Sequence, residues 1–247
     1  MRVLIVSDIH GNLPALEAVL RDSDAAGEID AVWCLGDTVG YGPQPSECIA
    51  RLESLGAVWV AGNHERAVTG AMGTEEFNPN AAAAARWTAK MLSDSEKTRL
   101  DALPEVVKQD GVTLVHGTLR DPLWEYLYSE EAALGHLALQ ETSLGLVGHT
   151  HIPMVAVQQP GRSNDCRMNR VEDGQSVQAG ASEKLVFNPG SVGQPRDGDP
   201  RASYAVYDTE AQAITLHRVE YEVEVTQKLM EEARLPRWLI ERLSVGR

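Results

Sequence analysis

Val3-Leu4-Ile5-Val6-Ser7-Asp8-Ile9-His10 is an apolar run that stops on an acid and an imidazole two residues apart. Four more runs repeat the pattern. Ala31-Val32-Trp33-Cys34-Leu35 leads into Gly36-Asp37, and Ala57-Val58-Trp59-Val60-Ala61 into Gly62-Asn63-His64-Glu65. Val112-Thr113-Leu114-Val115 leads into His116-Gly117, and Leu144-Gly145-Leu146-Val147 into Gly148-His149-Thr150-His151. Short runs rich in Val, Leu and Ile read as buried strands, and open α/β sheets bind ligands beyond the carboxyl ends of their strands. The five clusters are therefore expected to converge on one site.

The converged side chains are Asp8, His10, Asp37, Asn63, His116, His149 and His151, with His64 beside them and no thiolate among them. Mixed oxygen and nitrogen donors suit Mn, Fe, Zn or Co better than Ca, and argue against iron–sulfur or structural zinc sites. In Asp8-x-His10 and His149-x-His151 the two-residue spacing sends both side chains of a pair to one face of extended chain. One tetrahedral ion needs about four ligands. Seven donors fit two ions sharing a carboxylate more economically, and paired metals about 3.5–4 Å apart are the usual arrangement for phosphoryl hydrolysis.

In order and spacing, Asp8-Ile9-His10, Gly36-Asp37, Gly62-Asn63-His64-Glu65, Val115-His116-Gly117 and Gly148-His149-Thr150-His151 resemble the motifs of the calcineurin-like metallophosphoesterase superfamily. The resemblance implies a four-layer α/β/β/α sandwich of two mixed sheets flanked by helices. It also implies one metal on Asp8, His10 and His151, a second on Asn63, His116 and His149, and Asp37 bridging them. His64 would be catalytic, hydrogen-bonding the phosphate or the leaving-group oxygen, and Glu65 would orient it or stabilise the turn. His136 and His217 follow no strand-end glycine and read as structural.

Asn188-Pro189-Gly190-Ser191 with Pro195-Arg196 resembles a stretch of the smaller bacterial and archaeal members, and Gly40-Tyr41-Gly42-Pro43 after Asp37 narrows the match to a subgroup carrying GD-x-VGYGP. The phosphoprotein phosphatases and dinucleoside-tetraphosphate hydrolases carry Asp-Arg-Gly at that place, so an arginine for a terminal phosphate is missing here. Some small phosphodiesterases of the superfamily carry Cys where this chain keeps His64. Tyr41 and Arg196 are the expected substrate contacts, with Asp197 and Asp199 as alternative partners of Arg196.

Composition bounds the rest. With 247 residues and 43% apolar content the chain can bury a sizeable core and reads as one domain over residues 1–247. A net charge of −14 and a pI of about 4.9 speak against a surface that tracks nucleic acid. Cys34, Cys48 and Cys166 suggest no disulfide framework, and a reducing cytoplasm fits. No signal peptide is expected before Ser7, and no apolar run approaches the roughly 18 residues that span a bilayer. The sequence carries no signal of oligomeric state.

Helical patterns lie between the runs. Asn12 reads as an N-cap, with Pro14 in the first turn and Leu13, Leu16, Val19 and Leu20 at helical spacing. A second helix follows Pro45 and closes at Gly56 with Cys48, Ile49, Leu52 and Leu55 on one face, an Ala-rich third runs from Asn78 to about Met91, and Ser93 or Asp94 caps a fourth. After His151 come consecutive strands at 154–157, 184–187, 202–207 and 213–219, which predict antiparallel pairing. Residues 158–182 read as a long mobile loop or exposed hairpin, and 223–243 as helix interrupted near Pro236.

The expected function is a dinuclear metal-dependent phosphoesterase of small phosphate esters, cleaving phosphodiesters by attack of a metal-bound hydroxide. Manganese is favoured as the metal, with Fe, Zn, Ni or Mg as alternatives. A phosphomonoesterase or serine/threonine protein phosphatase is the runner-up. A two-His-one-carboxylate redox site would account for only three of the donors, and a non-catalytic scaffold is disfavoured because every ligand position is filled.

Overall fold

The computed structural model describes residues 1–159, 161–179 and 184–247. The first half is built of strand–helix units. The apolar runs form β1 (Arg2–Val6), β2 (Ala31–Cys34) and β3 (Val58–Trp59), joined by α1 (Leu13–Ala25) and α2 (Pro45–Ser54). Helices α3 (Asn63–Thr69), α4 (Pro79–Met91) and α5 (Asp94–Asp101) lead to the hairpin of β4 (Val106–Gln109) and β5 (Val112–Val115), then α6 (Glu130–Leu139) and β6 (Leu144–Leu146). The second half holds β7 (Pro153–Gln159), β8 (Arg162–Arg170), β9 (Ser176–Gln178), β10 (Leu185–Pro189), β11 (Ala202–Asp208) and β12 (Ala213–Val219) before α7 (Val223–Glu232) and α8 (Arg237–Glu241).

Among the described residues the strands make two six-stranded mixed sheets, ordered β3-β2-β1-β11-β12-β9 and β4-β5-β6-β10-β7-β8. The neighbours β1, β2 and β3 run parallel, as do β5, β6 and β10, while β11 lies antiparallel to β1 and β7 antiparallel to β10. Successive strand side chains face opposite ways, and β1 uses both faces. Val3 and Ile5 join Trp33, Leu114, Leu146, Phe187 and Leu216 in the core between the sheets, whereas Leu4 and Val6 pack with Leu16, Val19, Cys48 and Leu52 of α1 and α2. On the far side Val147, Ala156 and Val186 pack on Ala133 and Leu137 of α6. The layers are therefore α/β/β/α, as expected.

Local chemistry starts the helices where the sequence predicts. The Asn12 side chain accepts the N–H of Ala15, that of Asn78 accepts those of Asn80 and Ala81, and Ser93 closes a capping box with Glu96. Pro236 separates α7 from α8. Residues 158–182 are the main correction. Hairpin is the right alternative for their first part, because β8 pairs antiparallel with β7, and β9 adds an edge to the other sheet. Polar strands at sheet edges lack the apolar alternation that marks a half-buried strand. Residues 160 and 180–182 of that stretch, with 183 after it, lie outside the described residues. The sequence reading has no counterpart for α3, α6 or β4.

Candidate metal centre

Every expected donor lies just past the end of a strand. Asp8 and His10 follow β1, Asp37 follows β2, Asn63 opens α3 after β3, His116 follows β5, and His149 and His151 follow β6. The backbone there is strained. Asp8, His10, Asp37, His149 and His151 have φ between 51° and 66°, a left-handed region that non-glycine residues rarely enter and that costs of the order of 1 kcal/mol each. The strain turns five side chains inward. Two glycines make room: Gly36 has φ +91° and a Cβ there would meet Gly62 N at 2.7 Å, while at Gly40, with φ +84°, a Cβ would collide with the His64 ring.

The side chains gather as overlapping triads, Asp8–His10–His151, His10–Asp37–His64 and Asp37–His116–His149, with the donor atoms of each within 4.8 Å of one another. All are buried. Asn63 is buried and shares a cavity wall with Asp37, His64 and His149, and its Oδ1 has no hydrogen-bond partner. The expected donors are thus brought together, with Asp37 shared between triads.

Three backbone carbonyls set the ring tautomers. His10 Nδ1 donates to Val39 O at 3.0 Å, His116 Nδ1 to Leu35 O at 2.8 Å, and His151 Nδ1 to Gln194 O at 2.6 Å. In the neutral rings each Nε2 is then left as an acceptor, turned towards the carboxylates and the other rings. His10 Nε2 lies 3.2 Å from His151 Nε2, His151 Nε2 lies 3.2 Å from Asp8 Oδ1, and His116 Nε2 lies 3.3 Å from Asp37 Oδ2 and 3.0 Å from His149 Nδ1. Converging lone pairs repel unless a cation or proton lies between them. Asp8 Oδ1 and His149 Nε2 are also buried without a partner. Orphaned acceptors of this kind fit divalent metal ions, and the carbonyls that hold the rings are the outer contacts metal-binding histidines ordinarily have.

The electrostatics agree. Burial works to raise Asp8, yet the neighbouring imidazoles, His151 foremost, hold its carboxyl well below the usual carboxylate range. Asp37 is likewise held down against burial by His116 and His64. Burial pushes His10, His149 and His151 down, so they are neutral at pH 7. His116 goes the other way: burial opposes it, but Asp37 beside it lifts it to about 9, so in the metal-free protein it carries the proton a metal would displace. Burial pushes His64 down to about 4.

Some of the framing was not legible in the sequence. The Glu65 carboxylate accepts the backbone N–H groups of Asp37, Thr38 and Gly62 at 2.7–2.8 Å, so it stabilises the turn and does not touch His64. Burial and the Asp37 charge push it up to about 7. Asn188 Nδ2 donates to Gly148 O at 2.6 Å and Ser191 Oγ to Asp8 O at 2.8 Å, so the Asn188–Ser191 motif clamps two ligand loops. His136 and His217 are structural, as expected: His136 is buried between Leu119 N and Gln140, and His217 stacks on Tyr204. Cys34, Cys48 and Cys166 are free thiols.

A cavity of about 250 Å³ opens on the triads, lined in part by Tyr41, His64, Glu76, Phe77, Trp124, Tyr126 and Arg196. Tyr41 and Arg196 both reach it. Arg196 Nη2 donates to Tyr41 Oη at 3.3 Å and to Gln194 Oε1 at 3.0 Å, while its Nε is buried without a partner. The alternative pairing is overturned, because Asp197 bonds Arg218 and Asp199 bonds Arg201. The sequence reading did not single out Phe77, Trp124 or Tyr126.

Residues 1–212 match the family model described as the calcineurin-like phosphoesterase superfamily domain. The chain is 36% identical over 250 residues to an uncharacterized protein of Methanocaldococcus jannaschii, covering 99% of this chain and 98% of that one. It is 28% identical over 226 residues to the phosphodiesterase YfcE of Escherichia coli, covering 87% of this chain and 91% of the other. A crystal structure of a metallophosphoesterase from Sphaerobacter thermophilus superposes with a TM-score of 0.89 at 44% identity, over 100% of this chain and 99% of that one.

Proposed function

The chain belongs to the calcineurin-like phosphoesterase superfamily and is a hydrolase of phosphate esters, and from that premise we propose that it cleaves phosphodiesters with two divalent metal ions. Asp8, His10 and His151 would hold the first ion and Asn63, His116 and His149 the second, and Asp37 would serve both. The observation that carries this reading is the set of buried, converging acceptors around Asp37. When bound, the ions neutralise charge on the phosphoryl group and activate a water as nucleophile. Manganese is the metal we favour, and the mixed carboxylate, amide and imidazole donors also suit Fe, Zn or Ni.

The protein's own groups do the rest. Arg196, held by Tyr41 and Gln194, meets a phosphoryl oxygen with its free N–H. His64 is neutral at pH 7 and stabilises the departing oxygen through a ring N–H, as a hydrogen-bond donor that needs no prior protonation. The diester preference is supported by charge: the cavity wall offers a single guanidinium, Arg196, and sets Glu76 against it, which favours a monoanionic ester over a dianionic one. The GYGP and NPGS stretches support assigning the chain to the small-phosphoesterase subgroup.

We read residues 1–247 as one domain. Met230 of α7 and Leu239 of α8 pack on Tyr41 and Ala84, and Thr226 Oγ1 donates to Asn12 Oδ1 at 2.9 Å, so the tail packs onto the body that carries the site. Among the described residues no helix is long and apolar enough to cross a membrane. Free thiols favour the cytoplasm, and the acidic surface disfavours nucleic-acid binding.

The test is a panel of matched monoester, diester, cyclic-nucleotide and dinucleotide substrates offered to metal-stripped protein refilled with Mn, Fe, Zn, Ni or Mg. Diesters should show the highest kcat/KM, and only with metal. A tenfold monoester advantage would replace this reading with a phosphomonoesterase or protein phosphatase.

A further inference from the structure

We propose that the cavity beside the metal centre includes a subsite for one planar aromatic group of the substrate, formed by Phe77, Trp124 and Tyr126 and backed by Tyr128. The proposal rests on the phosphoesterase reading and adds the class of ester taken.

Only 5% of the chain is aromatic, yet these rings come together from two segments far apart in sequence. Trp124, Tyr126 and Tyr128 alternate along the connection between β5 and α6, and Phe77 arrives from the turn before α4. The Tyr126 ring lies parallel to His149 at 4.0 Å and 12°, and parallel to Tyr128 at 5.0 Å and 9°. The stack thus runs outward from an imidazole of the second metal group. Phe77 meets Trp124 edge-on at 5.2 Å and His64 edge-on at 4.9 Å, so the same rings also reach the side chain assigned to the leaving group.

Phe77 also packs on two of the cores, but core packing does not account for the other three rings. Tyr126 is 37% exposed and Tyr128 52% exposed, and among the described residues Trp124, Tyr126 and Tyr128 join none of the hydrophobic cores. Exposed rings held in place are what a binding surface requires. Two of them are held: Tyr128 Oη donates to Thr150 O at 3.1 Å, and Trp124 Nε1 donates to Met72 Sδ at 3.2 Å.

The cavity has two chemically different sides. Arg196, with the ions the ligands would hold, would meet a phosphoryl group, and Phe77 and Trp124, with the rim of the Tyr126 ring, line the wall next to it with aromatic surface. Its volume of about 250 Å³ lies below the roughly 300 Å³ at which drug-sized pockets begin. That suits a compact ester with one ring and excludes a peptide or a second base. A nucleoside and a simple aryl alcohol share the required chemistry.

The experiment measures binding of non-hydrolysable pairs to the Mn-filled protein by calorimetry, alongside hydrolysis of 4-nitrophenyl ethyl phosphate. One pair is methyl(3-phenylpropyl)phosphinate and its 3-cyclohexylpropyl analogue, and the other is the methylphosphinates in which a methylene replaces the 5′ ester oxygen of thymidine and the 5 ester oxygen of 2-deoxyribose, so that no P–O–C bond remains. In at least one pair the aromatic member should bind ten times more tightly or better, and Trp124→Leu and Tyr126→Leu should each cut that preference below threefold. Preference in the nucleoside pair alone assigns a base, in the phenyl pair alone an aryl alcohol, and in both a general planar ring. Less than tenfold in both pairs, or a preference that survives both substitutions, overturns the subsite. Hydrolysis without preference removes the subsite and keeps the phosphoesterase reading; preference without hydrolysis does the reverse.

Discussion

Glu65 Oε2 accepts the backbone N–H of Asp37 at 2.8 Å, and the same oxygen takes the N–H of Gly62 at 2.8 Å. One carboxylate therefore ties the loop after β2 to the loop after β3, at the residue that both metal groups share. Glu65→Ala orphans the buried N–H groups of Asp37, Thr38 and Gly62. At about 1–3 kcal/mol for each unsatisfied group, denaturant unfolding should show a loss of at least about 3 kcal/mol. Metal content should fall with it, and a variant of unchanged stability and full metal stoichiometry would refute the bracing role.

Asp37 lies in two of the three triads. Asp37→Asn should lower phosphoesterase activity by orders of magnitude while circular dichroism remains that of the folded protein, because a shared carboxylate bears on both ions. Metal-stripped protein that hydrolyses esters at the full rate would show the dinuclear assignment to be wrong.

His64 touches Phe77, Tyr41 and His10 ring to ring and lines the cavity. If its N–H serves the departing oxygen, His64→Ala should slow alkyl esters by about 10²–10⁴ and nitrophenyl esters far less, with both metals retained. Rates and metal analysis are read together. Equal slowing of both ester types, or loss of an ion, would make His64 a ligand or a general electrostatic contact.

His136 predicts a pH effect away from the metal centre. Its Nδ1 accepts the Leu119 N–H at 3.2 Å and its Nε2 donates to Gln140 Oε1 at 3.0 Å, so only the neutral ring fits. Burial pushes it from 6.5 to about 4. A histidine lowered on folding binds its proton more readily when unfolded, so the stability it contributes is present above pH 6.5 and is lost as pH falls towards 4. Between pH 7 and pH 5 that loss is about 2 kcal/mol. Urea midpoints of the metal-free protein at the two pH values should differ by this amount more than those of His136→Gln, and equal differences would exclude the effect.

The layering of the sheets was legible only through the family resemblance, whereas the sequence by itself determined the strand-end donors, their order and the helix starts. It did so because these depend on local patterns: apolar runs of strand length, and side chains such as Asn12, Asn78 and Ser93 that cap the turn beside them. Where the pattern was weak the reading failed. Residues 162–170 are a polar strand that exists because β7 lies alongside, and α6 is apolar on several faces, so its 3.6-residue period is blurred.

Tertiary structure alone decided how the donors are presented. The left-handed φ of Asp8, His10, Asp37, His149 and His151 is imposed by loops packed on one another, and is not set by any preference of those residue types. His151 takes its tautomer from Gln194 O, and His116 takes its own from Leu35 O, 81 residues away. Arg196 is left free for the cavity only because Arg218 and Arg201 take its acidic neighbours. Trp124, Tyr126 and Tyr128 look like scattered aromatics until the connection that carries them lies against His149. Each of these outcomes depends on pairs of groups that meet only after the two sheets have packed, and sequence spacing carries no record of such pairs.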